Sequence, residues 1–338
     1  MSEPIRTPLF QVEKELGASF QDFHGWITPL RFSGITREAL AVRNGAGVFD
    51  VSHMGRLIVS RSEAKKYASL FTNNVEGTKP GRMKYSYVLD ADGFVIDDVV
   101  SYGLESRLLL VVNTWAKEQD LRLLAGVAEV SDITEHTSMI AVQGPASEAI
   151  ARSLGLDLGG WFSFSERGEL LVSRSGYTGE DGFEVIGPPE QVERVYGRAV
   201  EMGAIPCGLG ARDVLRLEAG YTLSGVDTDR TTTPLDVGGG AFIKWDRDFV
   251  GKEALLGRPE KKLFGFIAEE GIPRSGCTSD FGVISSGTFS PTLRKGIGLV
   301  RPKGEVPTPG TDLSFSCGER YLSGKASALP FVPWRYPR

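Results

Sequence analysis

The sequence predicts an α+β fold closed by an all-β C-terminal domain, and three features carry that expectation. Alternating apolar runs between residues 57 and 112 are separated by a clear hairpin signal, Asp90-Ala91-Asp92-Gly93. A similar order of strand and helix signals returns after residue 137. From Lys261 onward the texture changes to short apolar runs broken by Gly and Pro, the pattern of a small Greek-key or barrel domain. At 338 residues the chain exceeds the usual size of one hydrophobic core, so two or three domains are expected.

Alternation through Leu57 to Ser60 predicts a strand, and Ser60 followed by Glu63 reads as a capping box that starts a helix running to about Thr72. Tyr85 to Leu89 and Phe94 to Val100 are the two arms of the hairpin. Leu108 to Val112 is a further strand, followed by a helix near Trp115 to Ala125, an order that resembles a split βαβ, ferredoxin-like unit. The second unit has strands at Met139 to Val142, Leu170 to Ser173 and Phe183 to Ile186, a short helix after Pro145 and a longer one from about Glu190 to Met202. The units divide near residues 50 and 137 within 1–255, and 261–338 forms the β-barrel domain. In the last of these, Phe264 to Ile267, Gly296 to Val300 and Leu313 to Ser316 are the strand candidates.

With 41% hydrophobic and 24% charged residues the composition is that of a soluble globular protein, and a net charge of -5 argues against nucleic acid as a main partner. No apolar run approaches the roughly 20 residues of a membrane helix, and Met1 to Thr7 lacks the apolar stretch of a signal peptide. Cys207, Cys277 and Cys317 are odd in number and without metal-like spacing, which fits a reducing compartment better than a disulfide scaffold. A prokaryotic cytoplasm, or a mitochondrial matrix for a processed chain, is the expected location.

Asp97 and Asp98 are adjacent in a strand and must point to opposite faces, so one of them can reach a common cleft. Either they are a solvated acid and an ion-paired acid, or one carboxylate is held beside a reacting nitrogen or a developing cation. In Tyr177 to Glu184, Glu180 and Glu184 are spaced to share a face of an extended segment. A carboxylate there suits a pterin ring, whose ring N-H and exocyclic amino group offer two parallel hydrogen bonds; the alternative is a surface Glu. On a helix beginning near Gly210, Arg212 and Arg216 lie one turn apart and Asp213 reaches Arg216. Such a face is either stapled by ion pairs or leaves one arginine for an anionic or carbonyl-bearing partner.

His24, His53 and His136 stand far apart without ligand spacing, so no metal site is expected; His24 and His53 read as packed, hydrogen-bonded structural residues. Gly238-Gly239-Gly240 lacks the features of a phosphate loop and reads as a permissive turn.

Several motifs occur together in a telling order: Asp22-Phe23-His24-Gly25-Trp26, Val48 to Met54, Ser138 to Pro145, Tyr177 to Glu184, Gly208 to Gly220, Ser286 to Leu293 and Pro330-Phe331-Val332-Pro333. Across essentially its full length the chain thus resembles the folate-binding aminomethyltransferases, the family of the glycine cleavage T-proteins. The resemblance implies three domains in a ring, two ferredoxin-like α+β parts around a folate channel plus the C-terminal barrel. It implies transfer of an aminomethyl group from the lipoyl arm of H-protein to tetrahydrofolate, giving 5,10-methylenetetrahydrofolate and ammonia. It also implies Asp97 as the catalytic carboxylate near folate N5, Glu184 as the pterin-gripping acid, Arg212 as a folate contact, and Met54, Tyr85, Asn113 and Tyr336 as lining positions. Two departures stand out: Phe94 follows Gly93 where the family usually has a second Gly, and the tail after Pro333 is short. Sister readings are a folate-dependent demethylase acting on another N- or S-methyl donor and a non-enzymatic folate-binding accessory protein. The cysteine motif that marks the latter is absent, since Cys207 is followed by Gly208-Leu209-Gly210.

Overall fold

The computed structural model describes residues 3–336. Two large sheets face one another across a shared core. The first runs in the order Met83–Leu89, Val95–Gly103, Arg107–Val112, Gly55–Ser60, Val130–Asp132, with every neighbouring pair antiparallel. The second runs Ser163–Arg167, Leu170–Arg174, Gly182–Gly187, Ser138–Gln143, Gly47–Asp50, Ile205–Cys207, with the last pair parallel.

Side-chain alternation gives each sheet two covered faces. The facing sides contribute Phe49, Met139 and Ile186 from one sheet and Tyr102, Leu109 and Val111 from the other, packed with Val42 and Leu215 of the helices Ile35–Asn44 and Leu209–Glu218. Behind the second sheet, helix Pro189–Glu201 buries Val192, Tyr196 and Ala199. Behind the first, helix Lys117–Ala125 and the short turns between Arg61 and Leu70 cover Leu57, Val88, Val99 and Leu110.

The C-terminal unit is a curled antiparallel sheet in the order Gly282–Ser290, Lys295–Pro302, Phe264–Ala268, Arg320–Ser327, Asp312–Cys317, around Phe266, Ile284 and Phe315. It docks on helix Leu209–Glu218 through Leu217, Ile297, Leu299 and Phe331. The predicted α+β class with an all-β C-terminal unit is therefore what the chain adopts.

Local details differ from expectation. The helix expected from Ser60 to Thr72 is broken into 3-10, α and 3-10 turns, and Glu63 accepts the Glu129 amide at 2.9 Å instead of closing a capping box. A reciprocal capping box forms instead at Thr233 and Asp236. Cys277 and Cys317 form a disulfide, because the Thr278 backbone pairs with Ser316 and sets the two cysteines side by side; Cys207 is free and buried. His24 is an exposed turn residue with φ +52° and not a packed one. Among the described residues, no helix is long and apolar enough to cross a membrane and no cluster of three or more His, Cys, Asp or Glu side chains is arranged to hold a metal.

Candidate active site

The motif Gly208 to Gly220 builds the centre of the molecule. Gly208 passes so close to the Leu30 backbone that a Cβ would lie 2.2 Å from the Leu30 carbonyl carbon, and its amide donates to Glu38 Oε2 at 2.9 Å. This seats the first turn of the helix that carries both arginines. Arg216 is fully committed: it pairs with Asp213 at 2.8 Å and with buried Asp227 at 2.6 Å, and donates to Ser286 Oγ at 2.9 Å. Arg212 is not. Its guanidinium carbon lies 5.0 Å from the Tyr177 ring centroid and its buried Nη1 has no hydrogen-bond partner among the described residues. Burial holds its pKa below the usual arginine value, opposed by the nearby Glu184 carboxylate and Tyr177.

Glu184 stands on the core-facing side of its strand and receives the Ser175 hydroxyl at 2.5 Å. Burial raises its pKa, with Arg212 and then Ser175 opposing. Glu180 does not share that face. It precedes the strand and is tied to Arg43 at 2.7 Å and Arg335 at 2.5 Å, while Arg43 also pairs with Glu218 at 2.8 Å. The spacing argument that grouped Glu180 with Glu184 fails because the chain bends at residues 177–179, with Gly179 at φ +77°, and Glu180 bridges to Arg335 before the strand begins.

The two aspartates separate as alternation requires. In the hairpin register Asp98 is opposite Tyr87 and Asp97 opposite Val88. Asp98 therefore shares its face with Tyr85 and Tyr87, on the side turned to the other sheet, and lies near the Tyr85 and Tyr177 hydroxyls. It is partly exposed, whereas Asp97 is fully buried. Asp97 points behind the sheet toward Asp120 of helix Lys117–Ala125, and accepts from the Asn113 amide at 2.9 Å, Asn113 Nδ2 at 2.8 Å and Ser224 Oγ at 3.1 Å. Helix Lys117–Ala125 covers the Asp97 face, whereas Asp98 lies on the face turned to the other sheet. Burial raises the pKa of Asp98, and Ser224, Tyr85 and Asn113 oppose the rise.

Among the lining positions, Tyr85 packs on Phe242 at 4.5 Å and Tyr87 at 5.3 Å. Met54 lies at the edge of the shared core, its carbonyl held by Arg56 at 2.6 Å. Asn113 spends its amide on Asp97 and Asp98 and orders these carboxylates. Tyr336 stacks on Trp161 at 4.0 Å and accepts from the Tyr221 hydroxyl at 3.1 Å, and the rings of Tyr177, Tyr221, Trp334 and Tyr336 follow one another at 5.7 to 5.9 Å. Sequence reasoning missed Trp161, Tyr221 and Trp334, which no local pattern marks, and Tyr177, which sits inside a quoted motif. His53 is packed as expected, buried against the Phe23 ring, but its Nδ1 has no hydrogen-bond partner among the described residues; burial followed by the Arg212 and Arg56 charges pushes its pKa down to about 3.

The site thus holds Glu184 beside an unsatisfied guanidinium, Asp98 beside two tyrosines, and a run of neighbouring aromatic rings from Tyr177 to Tyr336. A flat heteroaromatic ring with amide-like N-H groups fits such donors and walls.

Comparison with known proteins agrees. Residues 9–247 match the family described as GCVT N-terminal domain. An aminomethyltransferase of Halothermothrix orenii is 39% identical, over 97% of this chain and 99% of its own. One from Bacillus subtilis is 36% identical, over 96% and 98%. The crystal structure of glycine cleavage system aminomethyltransferase T from Bartonella henselae matches with a TM-score of 0.89 at 28% identity, covering 98% of this chain and 99% of that one. With the family model covering residues 9–247 and these relatives matched over nearly the whole chain, the chain belongs to the GCVT family of aminomethyltransferases.

Proposed function

We propose that this aminomethyltransferase serves glycine cleavage, taking the aminomethyl group from the lipoyl arm of H-protein and delivering its carbon to tetrahydrofolate. In that reaction the carbon leaves sulfur and nitrogen and bonds to N5 and N10 of the folate; of the two protons displaced from those nitrogens, one leaves with the amine as ammonia and one is taken up by the sulfur, giving the dihydrolipoyl thiol. Tetrahydrofolate supplies the accepting nitrogens. Glu184 holds the pterin N-H edge, Arg212 donates its open Nη1 to a ring or carbonyl acceptor, and the Tyr221, Trp334 and Tyr336 wall excludes water. Matches to bacterial aminomethyltransferases support a cytoplasmic setting.

The observation that carries the assignment of the acid is the direction of Asp98, toward Tyr85 and the cleft. In this reading Asp98, rather than Asp97, faces N5. Its negative charge stabilises positive charge developing on the transferred carbon, in a site where a low local dielectric makes that charge effective.

The deciding experiment measures tetrahydrofolate-dependent ammonia release from aminomethyl-loaded H-protein with Asp98→Asn and Asp97→Asn. Asp98→Asn is expected to lower kcat by about a hundredfold or more with folate affinity largely kept, the size typical of removing an electrostatic stabiliser. An unchanged kcat would sink the assignment to Asp98. Absent release by the intact enzyme, with folate still bound, would turn attention to another one-carbon donor.

A further inference from the structure

Behind Asp98 lies a second carboxyl group that the transfer does not touch. Asp120 is buried on helix Lys117–Ala125, at the edge of a small apolar void lined by Leu70, Phe71, Val88, Val99 and Leu110. Neither of its oxygens has a hydrogen-bond donor among the described residues. The polar group it meets is the Asp97 carboxyl, and two carboxylates in contact cannot accept from one another unless a proton lies between them.

The surroundings offer no cation in place of that proton. Asn113 and Ser224 face Asp97 as neutral donors and Asp98 adds a further negative charge. Arg230 attracts Asp120 but is exposed, bonded to Gln119 and set over the Trp115 ring at 5.6 Å. On the same helix Lys117 is taken by Asp132 at 2.7 Å.

We propose that Asp97 and Asp120 share one proton and, through Asn113, form a positioning pair that aims the Asp98 carboxylate into the cleft. With one proton the pair carries a single charge, which Asn113 and Ser224 satisfy, and the Asn113 amide bridges Asp97 Oδ1 at 2.8 Å to Asp98 Oδ1 at 3.3 Å. Loss of the proton places a second charge behind Asp98, draws the Asn113 amide wholly toward the pair and frees Asp98 to turn. Burial, strengthened at Asp97 by its acidic neighbours, keeps the proton bound, with the Asp120 pKa pushed up to about 7 and that of Asp97 raised well above the usual carboxylate range.

The test has two arms, and only the activity arm rests on the assignment of Asp98. In infrared difference spectra of the full-length protein at neutral pH, wild type minus Asp120→Asn is expected to show the carbonyl band of one neutral carboxylic acid. Titrating wild type alone to alkaline pH should remove the same band, which needs no variant to fold. In the activity arm, wild-type kcat should fall on the alkaline side in step with that band. Asp120→Asn, whose amide donates to Asp97 but cannot lose a proton there, should abolish that alkaline fall. A purely structural Asp120 would leave the pH profile of the variant parallel to wild type. Absence of the band difference, or an unaltered alkaline limb in Asp120→Asn, overturns the proposal.

Discussion

Arg212 lies over the Tyr177 ring with its guanidinium carbon 5.0 Å from the ring centroid, and its buried Nη1 has no hydrogen-bond acceptor among the described residues. One helical turn on, Arg216 is locked between Asp213 and Asp227. The two arginines of one motif thus divide the work, the second joining the helix to the C-terminal sheet through Ser286 and the first left open toward the cleft.

Arg212→Ala is expected to weaken tetrahydrofolate binding by about 10- to 100-fold, the equivalent of roughly 1.5–3 kcal/mol for a hydrogen bond to a charged group. Because the guanidinium has an unmet donor, the fold should lose little stability. Titration calorimetry with tetrahydrofolate beside urea denaturation checks both; unchanged affinity would remove Arg212 from the site.

Arg43 holds two buried carboxylates, Glu180 and Glu218, and Glu180 in turn anchors Arg335 of the tail that carries Trp334 and Tyr336. Arg43→Ala leaves buried Glu218 without a cation and Glu180 with Arg335 alone, and should cost about 3–5 kcal/mol of stability, as breaking buried ion pairs does. The urea midpoint reads this directly, and the same variant should loosen the aromatic wall and quench less Trp334 fluorescence on folate addition.

Gly208→Ala forces a Cβ to within 2.2–2.3 Å of the Leu30 carbonyl, backbone against backbone, where no side chain can yield. A cost of about 1–3 kcal/mol is expected from overpacking alone, with a loss of folate affinity as the Arg212 turn shifts. Equal stability and affinity in the variant would show that the close approach is not required.

Stability should fall toward both ends of the pH range, for separate reasons. His53 has its pKa depressed from 6.5 to about 3, so its contribution is complete above pH 6.5 and is lost as the pH falls toward 3. Glu13, buried near Asp50, has its pKa raised from 4.5 to about 10, burial being the larger cause. Its contribution is complete below pH 4.5 and declines as the pH rises toward 10. Glu13→Gln should therefore raise the urea midpoint at pH 8 to 9 relative to wild type and flatten the alkaline side of the curve. A variant curve parallel to wild type across that range would contradict the burial of an ionisable Glu13.

Much of the fold was legible because element type is a local property. Alternation in Tyr85 to Leu89 and Phe94 to Val100 around Asp90-Ala91-Asp92-Gly93 marks a hairpin wherever it sits, and the three-residue step from Asp213 to Arg216 is enough to place their ion pair, seen at 2.8 Å. Glu184 and Arg212, named by family resemblance, do come together, since the Coulombic pull between them is felt by both groups.

Which face of an element meets which neighbour is a property of the packed chain. Period-two alternation put Asp97 and Asp98 on opposite faces but carried no sign saying which face helix Lys117–Ala125 would cover; the helix covers the Asp97 side and leaves Asp98 on the side turned to the other sheet. The same holds for Glu180, claimed by Arg43 from 137 residues away, and for Cys277 and Cys317, opposed only when the C-terminal sheet curls. Residue spacing along the chain determined the elements and their possible faces. Burial, which depends on partners distant in sequence, selected among those faces and so fixed the chemistry.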